Sequence, residues 1–199
     1  MGMAGKIKEL EVNTLVFKMT RNSQDMRQWK NVALAEKCLE LLKNTSDKTV
    51  SPLRKARACN AIVEQLPCYD VPRFTLTILR YERELLERSD ETPEKYDPTL
   101  SSVGYEIQRL EDYIDTEHVA YSTFREKYGR HLEFDSVERT EEWEANYVEV
   151  EQECDRRLGD TPRGMGFCFA YWSTLSDVLS ERGIHWRSPH QMNPRVMFD

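Results

Sequence analysis

Apolar residues recur along this chain at steps of three and four, the period of helices laid against a core. No long run alternates apolar and polar residues as a half-buried strand does. The first predicted helix covers residues 7–19, where Leu15-Val16-Phe17 is also compatible with a short strand. A second helix is expected over residues 24–42, with Asp25 near its start and Val32, Ala35, Leu39 and Leu42 on one face. Ser51-Pro52 signals a third start, because serine caps free backbone N–H groups and proline is tolerated in the first turn. Leu53, Ala56, Cys59, Ile62, Val63 and Leu66 then share a face, and Pro67 should stop this helix near Gln65. Asp70 and Pro72 open the next, whose stripe is Phe74, Ile78, Tyr81 and Leu85. The polar stretch 89–98, with Pro93 and Pro98, reads as a surface loop inside one domain.

The longest predicted element spans residues 98–128. Leu100, Val103, Ile107, Leu110, Ile114, Glu117, Tyr121, Phe124 and Tyr128 alternate steps of three and four, a seam like that of a coiled coil, and Gly129 is placed to end it. A further helix is expected over residues 137–158, with the narrow stripe Trp143, Tyr147, Val150, Cys154 and Leu158. Thr161-Pro162 signals the last helix start. Residues 165–172 are apolar nearly all round, so they are expected to be central and buried, with Gly164 and Gly166 admitting another backbone. Gly183 should end that helix, with Ile184 making the apolar contact of a Schellman ending. In the tail, residues 185–199, Pro189 and Pro194 break helical pattern, yet Trp186, Met192, Val196, Met197 and Phe198 suit an anchored segment. The fold expected is all-α: a single domain over residues 1–199, a bundle of six or seven helices with an ordered, non-helical C-terminal tail.

Twenty aromatic residues in 199 argue for a folded chain rather than a disordered one. No stretch approaches the length of a membrane-spanning helix, and residues 1–10 contain no apolar run of signal-peptide length. Five cysteines, an odd number without a CxxC pair, suit free thiols in a reducing compartment, so a cytoplasmic location is expected. Net charge is −7, but residues 1–60 carry 12 Lys/Arg against 6 Asp/Glu, whereas residues 133–160 carry 11 acids and 3 bases. Such asymmetry favours contact between oppositely charged faces, internal or head-to-tail.

Candidate chemistry is sparse. Glu117 interrupts the apolar seam, where a buried carboxylate is a candidate general base or metal ligand or, paired with an arginine or a tyrosine hydroxyl, a register device. Asp115 and His118 have the spacing of half a carboxylate-bridged metal site, without the second half. The acidic stretch 141–155 resembles, in composition, the magnesium-holding helices of all-α nucleotide pyrophosphohydrolases. Glu138 and Glu141 have the first Glu-x-x-Glu spacing of that pattern, but three residues after Glu151 stands Cys154, so the second is missing. Thr161 and Arg163 beside a helix start could hold an anion, and Cys168 lies nearby. Lys48, Arg54, Lys55 and Arg57 surround a helix start, the arrangement that keeps nucleic-acid binding as an alternative, though the acidic whole argues against it. Trp186, Arg187 and Phe198 are the residue types of an interaction segment. With no catalytic constellation and no motif implying a cofactor, the leading expectation is an interaction or regulatory protein that self-associates or binds another protein. A metal-dependent or nucleotide-handling enzyme is the first alternative.

Overall fold

The computed structural model describes residues 3–198, with side chains from residue 8 onward, so Asp199 lies outside the described residues. Nine α-helices and two short 3-10 turns occur among the described residues, and no strand. The chain divides into two compact units, Met1–Glu111 and Asp112–Asp199. The division falls inside a helix and not in the 89–98 loop.

The first unit holds α1 (Met3–Gln24), α2 (Asn31–Lys43), α3 (Pro52–Val63), α4 (Pro72–Glu87) and most of α5 (Leu100–Ile114). α1 packs on α2 and α3, and α3 packs on α4. The first helix is therefore a helix throughout, with Val12, Leu15 and Met19 buried. The second starts seven residues later than the pattern predicts. α1 continues to Gln24, the chain turns through Met26 at φ 54°, and a 3-10 turn covers Gln28–Lys30. The buried Asn31 fixes this corner. Its amide nitrogen reaches the carbonyls of Met19 (3.1 Å) and Gln65 (2.8 Å), so a polar side chain joins the ends of α1 and α3 to the start of α2. Ser51 precedes α3 as expected, but its hydroxyl makes no capping bond. The core face of α4 is Thr75, Leu76, Ile78, Leu79, Leu85 and Leu86, while Phe74 and Tyr81 are only half-buried.

The predicted 98–128 helix is two helices. α5 stops at Ile114 and α6 covers Tyr121–Tyr128, ending at Gly129. Val103, Ile107 and Leu110 are buried as the seam requires, and Leu100 is exposed. Two polar groups outcompete the heptad pattern at the break. The Asp115 carboxylate accepts the His118 backbone N–H at 3.0 Å, closing a turn that a continuing helix would forbid. The buried Arg139 donates to the carbonyls of Asp112, Tyr113, Asp115 and Val119, taking up backbone acceptors that a longer helix would satisfy itself. Its guanidinium lies 5.7 Å from the ring centres of both Tyr113 and Tyr121.

The second unit continues with a 3-10 turn (Ser136–Arg139), α7 (Glu141–Leu158), α8 (Phe167–Glu181) and α9 (Pro189–Met192). α7 begins four residues later than expected, capped by the Thr140 hydroxyl on the Trp143 N–H at 3.2 Å. α7 packs on α8, burying Trp143, Val150 and Cys154 against Leu175, Val178 and Leu179, with Ile184 and Trp186 closing the cluster. Gly183 takes φ 78°, and Ile184 donates to the Leu179 carbonyl at 2.9 Å, the Schellman ending that the sequence predicts. The tail is not wholly irregular: Ser188 and Gln191 form a capping box around the single turn of α9.

Candidate interaction surface

The N-terminal half of α8 overturns its sequence pattern. Phe167, Cys168, Tyr171 and Trp172 are only half-buried, Phe169 is 45% exposed and Met165 95% exposed. The helix begins at Phe167, after Gly166 at φ 79°, six residues beyond Thr161. No atom outside the local chain lies within 4 Å of a Cβ placed on Gly164 or Gly166. The glycines therefore serve backbone conformation and not close packing. The fully buried residues of α8 are in its other half, at Leu175, Val178 and Leu179, with Tyr171 and Trp172 packed against their cluster.

The exposed half of α8 meets the tail in a closed circuit of four rings. Phe169 is edge-on to Trp172 (5.6 Å between centres) and to His190 (5.6 Å). Trp172 is edge-on to Phe198 (5.1 Å), which is 6.2 Å from His190. Edge-to-face pairs of this kind stabilise a fixed relative orientation of rings. α8 supplies two of the rings and the tail two, so the surface depends on how the tail is held.

Three polar contacts hold it. The Trp186 indole N–H donates to the Glu138 carboxylate at 2.7 Å, with the ring 6.2 Å from that of Trp143. Arg187 donates to Asp135 through its backbone N–H (3.1 Å) and its Nε (3.0 Å). The Asn193 side chain accepts the Glu133 N–H and donates to the Glu133 carbonyl, both at 2.8 Å, as a backbone strand partner would. Met192 is half-buried, whereas Val196 and Met197 point to solvent. Comparison with family models, curated proteins and solved structures finds no significant match to this chain. Its functional reading therefore rests on its own geometry.

That geometry separates the sequence candidates. Glu117 is exposed in the turn between α5 and α6, out of any apolar seam. Asp115 and His118 do meet, with Nδ1 2.9 Å from the carboxylate, and the His118 backbone and side chain hold the Asp115 carboxyl below its ordinary range. No group of three or more metal-ligating side chains converges among the described residues. Glu138 lies in the 3-10 turn bonded to Trp186, and Glu141 is exposed in the first turn of α7, so the two do not form a pair on one helix. Arg163 is tied to Asp155 and lies 5.2 Å from the Phe167 ring centre. Burial pushes the thiols of Cys38 and Cys154 up to about 11 and about 12, and that of Cys59 well above its usual value, away from the thiolate that attacks electrophiles.

The basic cluster is largely spent inside the first unit. Lys55 is buried, donating to the Thr45 carbonyl and pairing with Asp47 at 2.6 Å. Arg57 forms a fork on Asp97 at 2.6 and 2.7 Å, anchoring the 89–98 loop, and Arg54 reaches Glu9 at 3.4 Å. Only Lys48 stands in solvent without an acidic partner among the described residues. A cleft of about 190 Å³ beside this cluster has an apolar floor, including Val12, Val16 and Val50, below Arg54 and Arg57. Phe198 is legible in the sequence as an anchor of the tail, whereas Phe169 and Trp172 read as core, because unbroken apolarity does not say which face is covered. Arg139 carries no signal at all, since a lone arginine in a polar stretch reads as solvated.

Proposed function

We propose that this protein works by docking to another protein through the aromatic face of α8 and the tail, not by catalysis. The observation that carries the reading is the four-ring circuit Phe169–Trp172–Phe198–His190, held at the surface by a tail that costs conformational entropy to order. Phe169 and His190 are exposed on the half-buried Trp172 and Phe198, and aromatic side chains grouped at a surface are what interfaces use as anchors, while scattered exposed apolar residues carry no such meaning. Trp186 and Arg187 contribute from behind, by fixing the tail on Glu138 and Asp135. The same reading treats the chain as one helical domain in a reducing cytoplasm, which suits five free cysteines.

A photo-crosslinking amino acid placed at Phe169, and for comparison at the 89%-exposed Tyr96, tests the docking role in cells producing the full chain. Discrete protein adducts are expected from position 169, absent from position 96 and lost when Phe198→Ser is added. Equal, diffuse labelling from both positions would overturn the reading.

A further inference from the structure

The outward face of α1 is complementary to itself. Leu10, Thr14, Phe17 and Arg21 follow one another at steps of four, three and four, so they form one stripe along the helix, opposite the buried Val12, Leu15 and Met19. All four are exposed, Leu10 at 65% and Phe17 at 62%. The Thr14 hydroxyl donates to the Leu10 carbonyl at 2.7 Å, so a small side chain with its polar group satisfied stands between two large apolar ones. The Arg21 guanidinium lies over the Phe17 ring at 5.6 Å.

Charge borders this stripe on one flank. Glu11 and Lys18 each follow an apolar residue of the stripe by one position, about 100° further round the helix, and so lie on the same side of it. The other flank carries the uncharged Asn13 and Thr20, and Glu9 beyond them is turned to Arg54 of α3 at 3.4 Å. Lys18 is exposed and has no acidic partner among the described residues. Glu11 makes a 3.8 Å contact with Lys37, a pair of exposed side chains that contributes little. In a parallel pair of these helices opposite flanks meet, which sets Glu11 and Lys18 against Asn13 and Thr20. In an antiparallel pair about a twofold axis like flanks meet, and acid then faces cation. With Phe17 of one copy level with Thr14 of the other, Leu10 is level with Arg21, whose aliphatic stem can cover it. Lys18 then lies two residues, about 3 Å, along the axis from Glu11 of the second copy, twice over by symmetry.

We propose that α1 docks antiparallel on α1 of a second copy of this chain, forming an isologous twofold dimer. The same stripe serves both copies, so the association closes at two and does not extend. The paired charges beside the apolar stripe fix its direction and make it salt-sensitive. The contact does not use the aromatic face of α8, so it stands or falls apart from the docking role above.

Sedimentation velocity on the full chain across a concentration series tests this, with circular dichroism confirming that each variant is folded. The wild type should rise from its 23.5 kDa monomer toward twice that mass and stop there, and added salt should shift it back. Phe17→Ser should raise the dissociation constant by about tenfold or more, and Phe169→Ser should leave it unchanged. Glu11→Lys and Lys18→Glu, each alone, should weaken the dimer several-fold, because like charges then meet across the twofold axis. An equimolar mixture of these two variants should recover to within a few-fold of wild type, since each supplies what the other lacks. A wild type that stays monomeric throughout overturns the inference, as does a mixture that associates no better than its components. Association lost in Phe169→Ser and kept in Phe17→Ser also overturns it, and transfers self-association to the face of α8.

Discussion

The two units solve opposite problems. The first unit draws charge inward: Lys55 and Glu82 are buried, and Asn31 spans three chain segments from inside the core. The second turns apolar surface outward at the start of α8, where Phe169 is exposed, while Phe124 and Tyr113 are buried around α6 and a separate cluster is buried between α7 and α8. Its buried charges are both partnered: Asp135 accepts from Arg187, and Arg139 is matched to backbone carbonyls and pressed between tyrosines, with burial holding its pKa below the usual arginine value, whereas Glu82 of the first unit has no hydrogen-bond partner. Buried polar groups cost stability unless each is satisfied, so those of the first unit bear on folding. Exposed aromatic surface contributes little to folding and much to recognition, so that of the second bears on function.

Arg139→Ala should have the largest effect. It strands the acceptors of four carbonyls and removes the packing of two tyrosines, for an expected loss of about 3–5 kcal/mol in urea unfolding. Arg139→Lys keeps the charge without the planar fork and should recover less than half of that. Faster amide exchange should be concentrated in α6 and the turn before it. A loss below about 1 kcal/mol for the alanine variant would show that the break between α5 and α6 is held by something else.

Glu82 is next. It is fully buried in α4, neither carboxylate oxygen has a hydrogen-bond partner, and burial raises its pKa from 4.5 to about 8, with Glu64 adding to the shift. The nearby Cys59 thiol offers no compensating charge. Below pH 4.5 the carboxyl is protonated in both folded and unfolded chains. Between 4.5 and 8 the unfolded chain releases the proton and the folded one keeps it, so stability falls as pH rises, and the loss is complete above 8. The size is on the order of 4 kcal/mol. Glu82→Leu should remove this slope and raise stability at pH 8 relative to wild type; Glu82→Gln should remove the slope while still burying an unsatisfied amide. An unchanged slope between pH 5 and 8 in Glu82→Leu would take Glu82 out of the comparison.

The same contrast explains what the sequence disclosed. Stripes such as Leu53, Ala56, Cys59 and Ile62 were legible because apolar spacing and core burial coincide on α3. The Gly183–Ile184 ending was legible because its chemistry is local. The 98–128 seam misled because its break is made from a distance: periodicity cannot register that Arg139, some twenty residues on, will cap α5. Residues 165–172 misled for the converse reason, since apolarity marks surface that prefers to be covered without saying by what. Glu82 was missed because one acid among apolar neighbours on α4 falls on a helix whose other acids are exposed, and Lys55 because its partner Asp47 lies in a loop.

Trp186→Phe should cost less, about 1–2 kcal/mol, because the ring still packs on Trp143 while the Glu138 carboxylate loses its N–H donor. Its sharper consequence is positional. The four-ring circuit should loosen, so nuclear magnetic resonance shifts of Phe198 and His190 should move. Unmoved shifts at both rings would show that Arg187 and Asn193 suffice to hold the tail.

The smallest change in stability should come from Phe169→Ser, and its smallness is the point. Full burial of a phenylalanine contributes roughly 1.5–3 kcal/mol, but Phe169 is 45% exposed and its contacts are edge-on rings at the surface. Urea unfolding should therefore shift by about 1 kcal/mol or less, at protein concentrations low enough that association adds nothing. Leu179→Ser, on the buried half of the same helix, should cost about 3 kcal/mol or more, since it opens a cavity and buries a hydroxyl. Two substitutions of similar chemistry within one helix would then separate into one that unfolds the protein and one that leaves it folded. If Phe169→Ser cost as much as Leu179→Ser, the aromatic face would be core after all, and the division between a unit that hides charge and a unit that presents apolar surface would fail at its decisive residue.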